Sequence, residues 1–212
     1  MADHYFSEAP ASAENLRRIR IPIAGREVEV TTAAGVFSPE RLDIGTKVLL
    51  DNMPEPPAGG DFLDLGCGWG PVSLTLATLS PHARVWAVDV NERALDLVRR
   101  NAEELGLTNI RAVRPEDVPA DVSFRTIRSN PPIRVGKSIL HELLETWIPR
   151  LNERSDAYLV VKRDLGSDSL QRWLAATFDD GYSVYRSATA KGFRVLKVRR
   201  HGDPATAPIS TL

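Results

Sequence analysis

Asn130-Pro131-Pro132, followed by Ile133, carries the most chemical information in this chain. The Asn130 side-chain oxygen and the Pro131 backbone carbonyl are two acceptors set side by side. Proline fixes φ, so that carbonyl would be aimed rather than free. Two such acceptors can hold both hydrogens of an exocyclic amine whose lone pair is delocalised into a ring or carbonyl. They favour a pyramidal nitrogen with its lone pair turned toward an electrophile. This is catalysis by positioning and electrostatics, and it needs no strong base. An Asn-Pro turn is also an ordinary way to end a strand. The tripeptide therefore gains meaning only from what accompanies it.

The companion lies upstream, in Asp64-Leu65-Gly66-Cys67-Gly68-Trp69-Gly70. Glycines let backbone approach a ligand and take torsions closed to other residues. The spacing is Gly-x-Gly-x-Gly, not the Gly-x-Gly-x-x-Gly of dinucleotide sites. This disfavours an NAD-dependent dehydrogenase. Asp64, at a strand end, could hold a cation such as the ammonium of a methionine moiety. Asp89, ending the next strand, could accept both hydroxyls of a ribose. Asp117, in the turn after the third strand, is expected to accept from an adenine amino group. With Asn-Pro-Pro, these features suggest methyl transfer from S-adenosylmethionine to a planar nitrogen.

The elements that would position these residues alternate. Ile19–Ile23 and Glu27–Thr31 flank Ala24-Gly25-Arg26 and read as a hairpin. Ser38 reads as the cap of a helix with Pro39 in its first turn. The cluster Pro54 to Gly60 breaks the chain. Strands are expected at 61–65, 84–88, 109–113, 124–129 and 157–162, with helices at 71–79, 91–105, 138–151 and 167–178, the last capped by Ser167. Two strands, 182–187 and 193–198, close the chain as an antiparallel pair. Strands separated by helices imply a mostly parallel α/β sheet covered on both faces. The expected organisation is an N-terminal arm, hairpin and helix over 1–58, a main domain over 59–200, and a disordered tail over 201–212.

Bulk properties are consistent with one core of ordinary size. The formal net charge of the 212 residues is -1, so no global basic field attracts nucleic acid. The single cysteine, Cys67, excludes an internal disulfide. No apolar run approaches the roughly 18 residues that span a membrane. A cytoplasmic protein without membrane or metal partners is expected, and a monomer is favoured.

The sequence resembles the class I S-adenosylmethionine-dependent methyltransferases of the small methyltransferase domain family, specifically single-domain relatives of bacterial 16S rRNA guanine-N2 methyltransferases. The likeness rests on His4-Tyr5-Phe6-Ser7, Gly35-Val36-Phe37-Ser38, Arg41 to Thr46, Asp64 to Gly70, Val88 to Asn91, Ser129 to Pro132 and Gly136-Lys137. Val160 to Arg163 and Gly192 to Val195 also fit. The resemblance implies a Rossmann-like, seven-stranded sheet with its last strand antiparallel. It implies a cofactor site of Asp64, Gly66, Cys67, Gly68, Gly70, Asp89, Val90, Asp117 and Asn130. It places Asn130, Pro131 and Pro132 at the target amine. Phe37, Arg41 and Ile133 fall at the substrate mouth. Relatives usually carry Phe or Tyr where this chain has Ile133, and Asp where it has Arg125.

The reading that follows is an N-methyltransferase acting on guanine N2 in ribosomal RNA, free or in the small ribosomal subunit. Adenine, a glutamine amide or a small molecule would suit the same chemistry. A non-catalytic module binding S-adenosylmethionine or RNA is the alternative from another class.

Overall fold

The computed structural model describes residues 15–178 and 180–203. The expectations for the arm before residue 15, for His4-Tyr5-Phe6-Ser7 and for the tail beyond residue 203 lie outside the described residues. The chain begins with an antiparallel hairpin, β1 (Leu16–Ile23) and β2 (Arg26–Ala33). Next come α1 (Ile44–Asn52), β3 (Gly59–Leu65), α2 (Pro71–Leu79), β4 (His82–Val88), α3 (Glu92–Glu104), β5 (Ile110–Val113) and β6 (Phe124–Ser129). The remaining elements are α4 (Lys137–Trp147), β7 (Leu151–Lys162), α5 (Ser167–Thr177), β8 (Tyr182–Ala190) and β9 (Phe193–Arg200).

The strands from β3 onward form one seven-stranded sheet in the order β5-β4-β3-β6-β7-β9-β8. β3 to β7 pair in parallel, while β9 runs antiparallel to β7 on one side and β8 on the other. Period-two alternation assigns the faces. In β3, Leu63 and Leu65 join the core under α4 and α5, with Leu144, Trp147 and Leu174. Phe62 faces the other way, into the core with Val48 and Leu49 of α1 and Val72 and Leu76 of α2. Asp64 shares that second face. The strands are apolar on both sides because both sides are covered.

The hairpin is fastened to the sheet domain rather than free of it. Ile21, Ile23 and Val30 pack with Trp69, Leu74 and Leu97. Asn101, fully buried on α3, accepts from Thr31 N at 2.7 Å and donates to Thr31 O at 3.0 Å. Its amide thus pairs with β2 as a strand would. It also donates to Trp69 O at 3.1 Å, tying the glycine turn to the same point. Removing it would orphan several buried backbone groups, at about 1–3 kcal/mol each.

Three sequence expectations need correction. The first helix does not start at Ser38. Ser38 has φ 48, and the N-cap is Asp43, which accepts from Thr46 N at 3.0 Å. Thr32 Oγ1 donates to Pro39 O, so the hairpin holds that segment out of helix. The second concerns α4, which ends at Trp147. Pro149 lies in a 3-10 turn, and β7 begins at Leu151, earlier than its apolar run suggests. Finally, α5 has no Ser167 cap: Gly166, at φ 94, occupies the cap position without a side-chain bond. Arg125 is exposed at the start of β6, and its stem lies over Gly60.

Candidate active site

β3 and β6 are parallel neighbours with Leu65 opposite Ser129, so the turns that follow them emerge together. The Ser129 hydroxyl donates to Leu65 O at 2.6 Å. A Cβ on Gly66 would lie 4.0 Å from Pro132 Cδ. The glycine turn and the Asn-Pro-Pro turn are thus the two lips of one cleft of about 550 Å³. It opens beyond the carboxyl ends of the strands, where parallel sheets place ligands.

The glycine lip is built from backbone donors. Gly66 N and Cys67 N both donate to Val88 O, at 2.8 and 3.1 Å. Asp89 follows Val88. Its Oδ2 accepts from Gly68 N at 2.9 Å and its Oδ1 from Asn91 N at 3.0 Å. Both oxygens are anchored, and each keeps a lone pair for a ligand hydroxyl. Burial raises the Asp89 carboxyl above its ordinary range, and the Asn91, Gly68 and Val90 amides oppose the rise. Gly68 has φ 54, and a Cβ there would meet nothing within 4 Å. Backbone faces open space at that point. Gly70 serves packing instead: at φ 99, its Cβ would stand 3.0 Å from Val98 Cγ2 of α3. Val90 and Pro115 add apolar walls.

A small cavity of about 30 Å³ adjoins this lip and shares Phe37, Asp43, Gly66, Gly68 and Asn130 with the cleft. Asp64 lines it. Asp64 Oδ2 accepts from Ser73 N at 2.9 Å and from Ser73 Oγ at 2.6 Å, at the start of α2. Burial pushes the Asp64 carboxyl up to about 7, against those bonds, and the nearby Asp89 charge adds to the rise. Cys67 lines the same cavity but packs with Ala87, Leu95 and Val98. Burial raises its thiol well above the ordinary value.

The opposite lip presents side chains. Asn130 Nδ2 donates to Asp43 Oδ2 at 2.9 Å and to Thr46 Oγ1 at 3.0 Å. Ile133 N donates to Pro131 O at 2.8 Å across Pro132, which has φ -74 and ψ 73. These are the torsions of an inverse γ-turn. The Pro131 carbonyl is thereby pinned, with one lone pair left. Ile133 lines the cleft but is partly buried against the α4–α5 core. Exposed Ile139 and Leu165 and half-buried Phe193 continue the apolar surface. Arg134 and Lys162 put cations on it, without an ion-pair partner among the described residues.

A strap closes one end. Trp69 Nε1 donates to Ser38 O, Asn91 Nδ2 to Gly35 O and Arg93 Nη1 to Ala34 O. These bonds hold Phe37, 37 % exposed, at the mouth.

The structure therefore gathers Gly66, Gly68, Asp89, Val90, Asn130, Pro131, Pro132, Ile133 and Phe37 in one cleft, with Asp64 and Cys67 in the cavity beside it. Gly70 lies one packing layer behind. Asp117, expected at an adenine, is exposed and lines neither space, whereas Pro115 lines the cleft. Arg41, expected at the substrate mouth, is likewise exposed and outside both. Trp69 is core, 2 % exposed, and lines the small cavity rather than the main cleft. Asp43, Thr46, Lys162 and Phe193 lie in stretches that carry the resemblance, and the structure adds them as lining or supporting residues.

The arrangement can seat an elongated polar ligand against the glycine lip and a planar group against the other. Comparisons with known proteins show the family and the fold. The profile of the methyltransferase small domain matches residues 27–197. The Bacillus subtilis (strain 168) protein YbxB, itself uncharacterized, is 32% identical over 203 residues, covering 94% of this chain and all of that protein. Ribosomal RNA small subunit methyltransferase C of Stutzerimonas stutzeri (strain A1501) is 34% identical over 199 residues, covering 85% of this chain and 58% of that enzyme. Among solved structures, a T. thermophilus 16S rRNA N2 methyltransferase in complex with AdoMet and guanosine superposes with TM-score 0.75 at 23% identity. That match covers 88% of this chain and 51% of the other, so this chain spans about half the length of the enzymes with that activity.

Proposed function

The chain belongs to the methyltransferase small domain family, and on that premise we propose that it transfers a methyl group from S-adenosylmethionine to guanine N2 in ribosomal RNA. The observation that carries the reading is the Asn-Pro-Pro lip. Asn130 has its amide nitrogen satisfied inside the protein. Pro131 has its carbonyl pinned by Ile133 N. Two fixed acceptors beside the cleft suit the two hydrogens of an exocyclic amine.

The residues fit the cofactor. A cleft of about 550 Å³ lies in the range of small-molecule sites. The open Cβ position at Gly68 leaves backbone bare toward it. Asp89 would take the ribose hydroxyls, Val90 and Pro115 would flank the adenine, and Asp64 would face the ammonium from the small cavity. When bound, S-adenosylmethionine supplies an activated methyl on a sulfonium, so the protein needs no strong base. Asn130 and Pro131 then hold the amine, orient its lone pair and stabilise positive charge developing on the nitrogen. The final proton leaves to solvent.

Ribosomal RNA as the acceptor rests on the relatives' activities and on the cationic lip. Arg134 and Lys162 line the cleft, and exposed Lys137 opens α4 while exposed Lys191 lies in the β8–β9 turn at the same end of the sheet. Phosphate contacts of this kind position RNA without reading its sequence. The target base would have to leave its stack to reach Asn130. Ile139, Leu165 and Phe193 would offer apolar contact beside Ile133, which is not aromatic. The expected cytoplasmic location belongs to the same reading.

Labelled methyl transfer to ribosomal RNA and small subunits from cells lacking the protein tests this. Incorporation into RNA as N2-methylguanine is expected. Label in protein or in small molecules alone would overturn the RNA assignment. Acceptor affinity should fall with added salt, and Lys162→Ala should lower the salt slope by about one.

A further inference from the structure

We infer that Asp43 is a positioning residue for methyl transfer: it dictates which end of the Asn130 amide faces the acceptor and places a negative charge behind it. The inference rests on the reading that Asn130 grips the acceptor amine. An asparagine amide has a donor end and an acceptor end, and a half-turn of the side chain exchanges them. Only the oxygen end can hold an amine hydrogen. Asp43 removes the ambiguity, because a carboxylate only accepts. Its Oδ2 lies 2.9 Å from Asn130 Nδ2. An amide oxygen in that place would set two acceptors against each other. Thr46 Oγ1, 3.0 Å from the same nitrogen, takes the second hydrogen. Both N–H groups are therefore spent inside the protein, and Oδ1 is left for the cleft that Asn130 lines.

The surroundings keep Asp43 in place. As N-cap of α1 it also accepts from Thr46 N at 3.0 Å, so its rotamer is fixed by the helix. A Cβ on Gly45 would stand 2.9 Å from Asp43 Oδ2 and 2.8 Å from Phe193 Cε1. Gly45 thus leaves the room in which carboxylate and ring approach each other. Phe193 at that contact and buried Thr46 limit the water around the charge. Positive charge develops on the acceptor nitrogen only as the new bond forms. A charge aligned behind the Asn130 dipole therefore acts on the rate more than on ground-state binding.

Two variants separate positioning from folding. Asp43→Ser keeps a capping hydroxyl but is too short to reach Asn130. Asp43→Asn keeps the cap and the length and loses the charge. Single-turnover methyl transfer to undermethylated small subunits should fall about 100-fold in Asp43→Ser and about 10-fold in Asp43→Asn. S-adenosylmethionine affinity by calorimetry, acceptor KM and Tm should stay within about threefold or a few degrees of wild type. A rate within threefold of wild type would overturn the inference. So would a loss carried by cofactor affinity, which would assign Asp43 to the methionine end. A readout without acceptor keeps the inference distinct from the functional reading. By NMR, the Asn130 side-chain NH2 of the wild-type protein should exchange with solvent at least about tenfold more slowly than exposed amides. Asp43→Ser should remove that protection from the hydrogen that Asp43 holds. Unprotected exchange in the wild type would refute the geometry whatever the protein methylates.

Discussion

The two lips of the cleft solve different problems with different materials. The Gly66–Gly70 lip is assembled from backbone amides that converge on Val88 O and the Asp89 carboxylate. Little of its geometry depends on which side chains are exposed. The Asn130–Val135 lip has a fixed inner edge, where Asn130 and Pro131 are tied at 2.8 to 3.0 Å. Its outer edge is a set of exposed side chains, among them Arg134, Ile139 and Leu165. On the proposed function, the fixed parts would carry the reaction and the exposed ones the choice of acceptor. A change at the inner edge should damage the rate, and a change at the glycine lip should damage cofactor binding.

The sharpest break in that comparison is Asn130→Ala. It removes an acceptor and leaves Asp43 without its partner. We expect single-turnover transfer to fall by about 1,000-fold, with S-adenosylmethionine affinity within about threefold of wild type. Equal loss of both would merge the two lips into one. Next in size is Asp89→Ala, which deletes the expected ribose acceptor and orphans the Gly68 and Asn91 amides. Calorimetry should find cofactor affinity about 10- to 100-fold weaker, with transfer at saturating cofactor largely retained. Wild-type affinity would contradict the ribose assignment.

The smallest effect is one of pH. Asp64 titrates near 7 because burial opposes its charge. An ionised Asp64 favours a bound ammonium, so cofactor affinity should fall severalfold as pH drops from about 7.5 to 6. Asp64→Asn should flatten the profile, and a flat wild-type profile would remove Asp64 from the site. In the free protein the sign is opposite. The carboxyl's folded pKa lies above its unfolded value of about 4, so stability is fullest below that value and is lost as pH rises to about 7.

Much of this was legible in the residues, for physical reasons. Pro71 in the first turn of α2, Asn91 capping α3 and Gly106 after it are local signals, and they placed those elements correctly. The glycine turn and Asn-Pro-Pro could be read because backbone demands leave few residue choices. Tertiary contacts defeated local signals elsewhere. Ser38-Pro39 has the form of a helix start, but Thr32 and Trp69 hold that segment against the hairpin and the glycine turn. The early part of β7 looks like loop, because its Asn-Glu-Arg stretch is polar and pairs with β6 through an irregular register. Asp117 resembled an adenine acceptor only by its place after β5, and the 3-10 turn carries it outward. The bond from Asp43 to Asn130 joins residues 87 apart, beyond the reach of any motif.

The most direct test of the account is mass spectrometry of ribosomal RNA nucleosides from cells with and without this protein. The account predicts that one N2-methylguanine is lost on deletion, restored by the wild-type chain and not restored by Asn130→Ala. Identical nucleoside profiles in the two strains would contradict it.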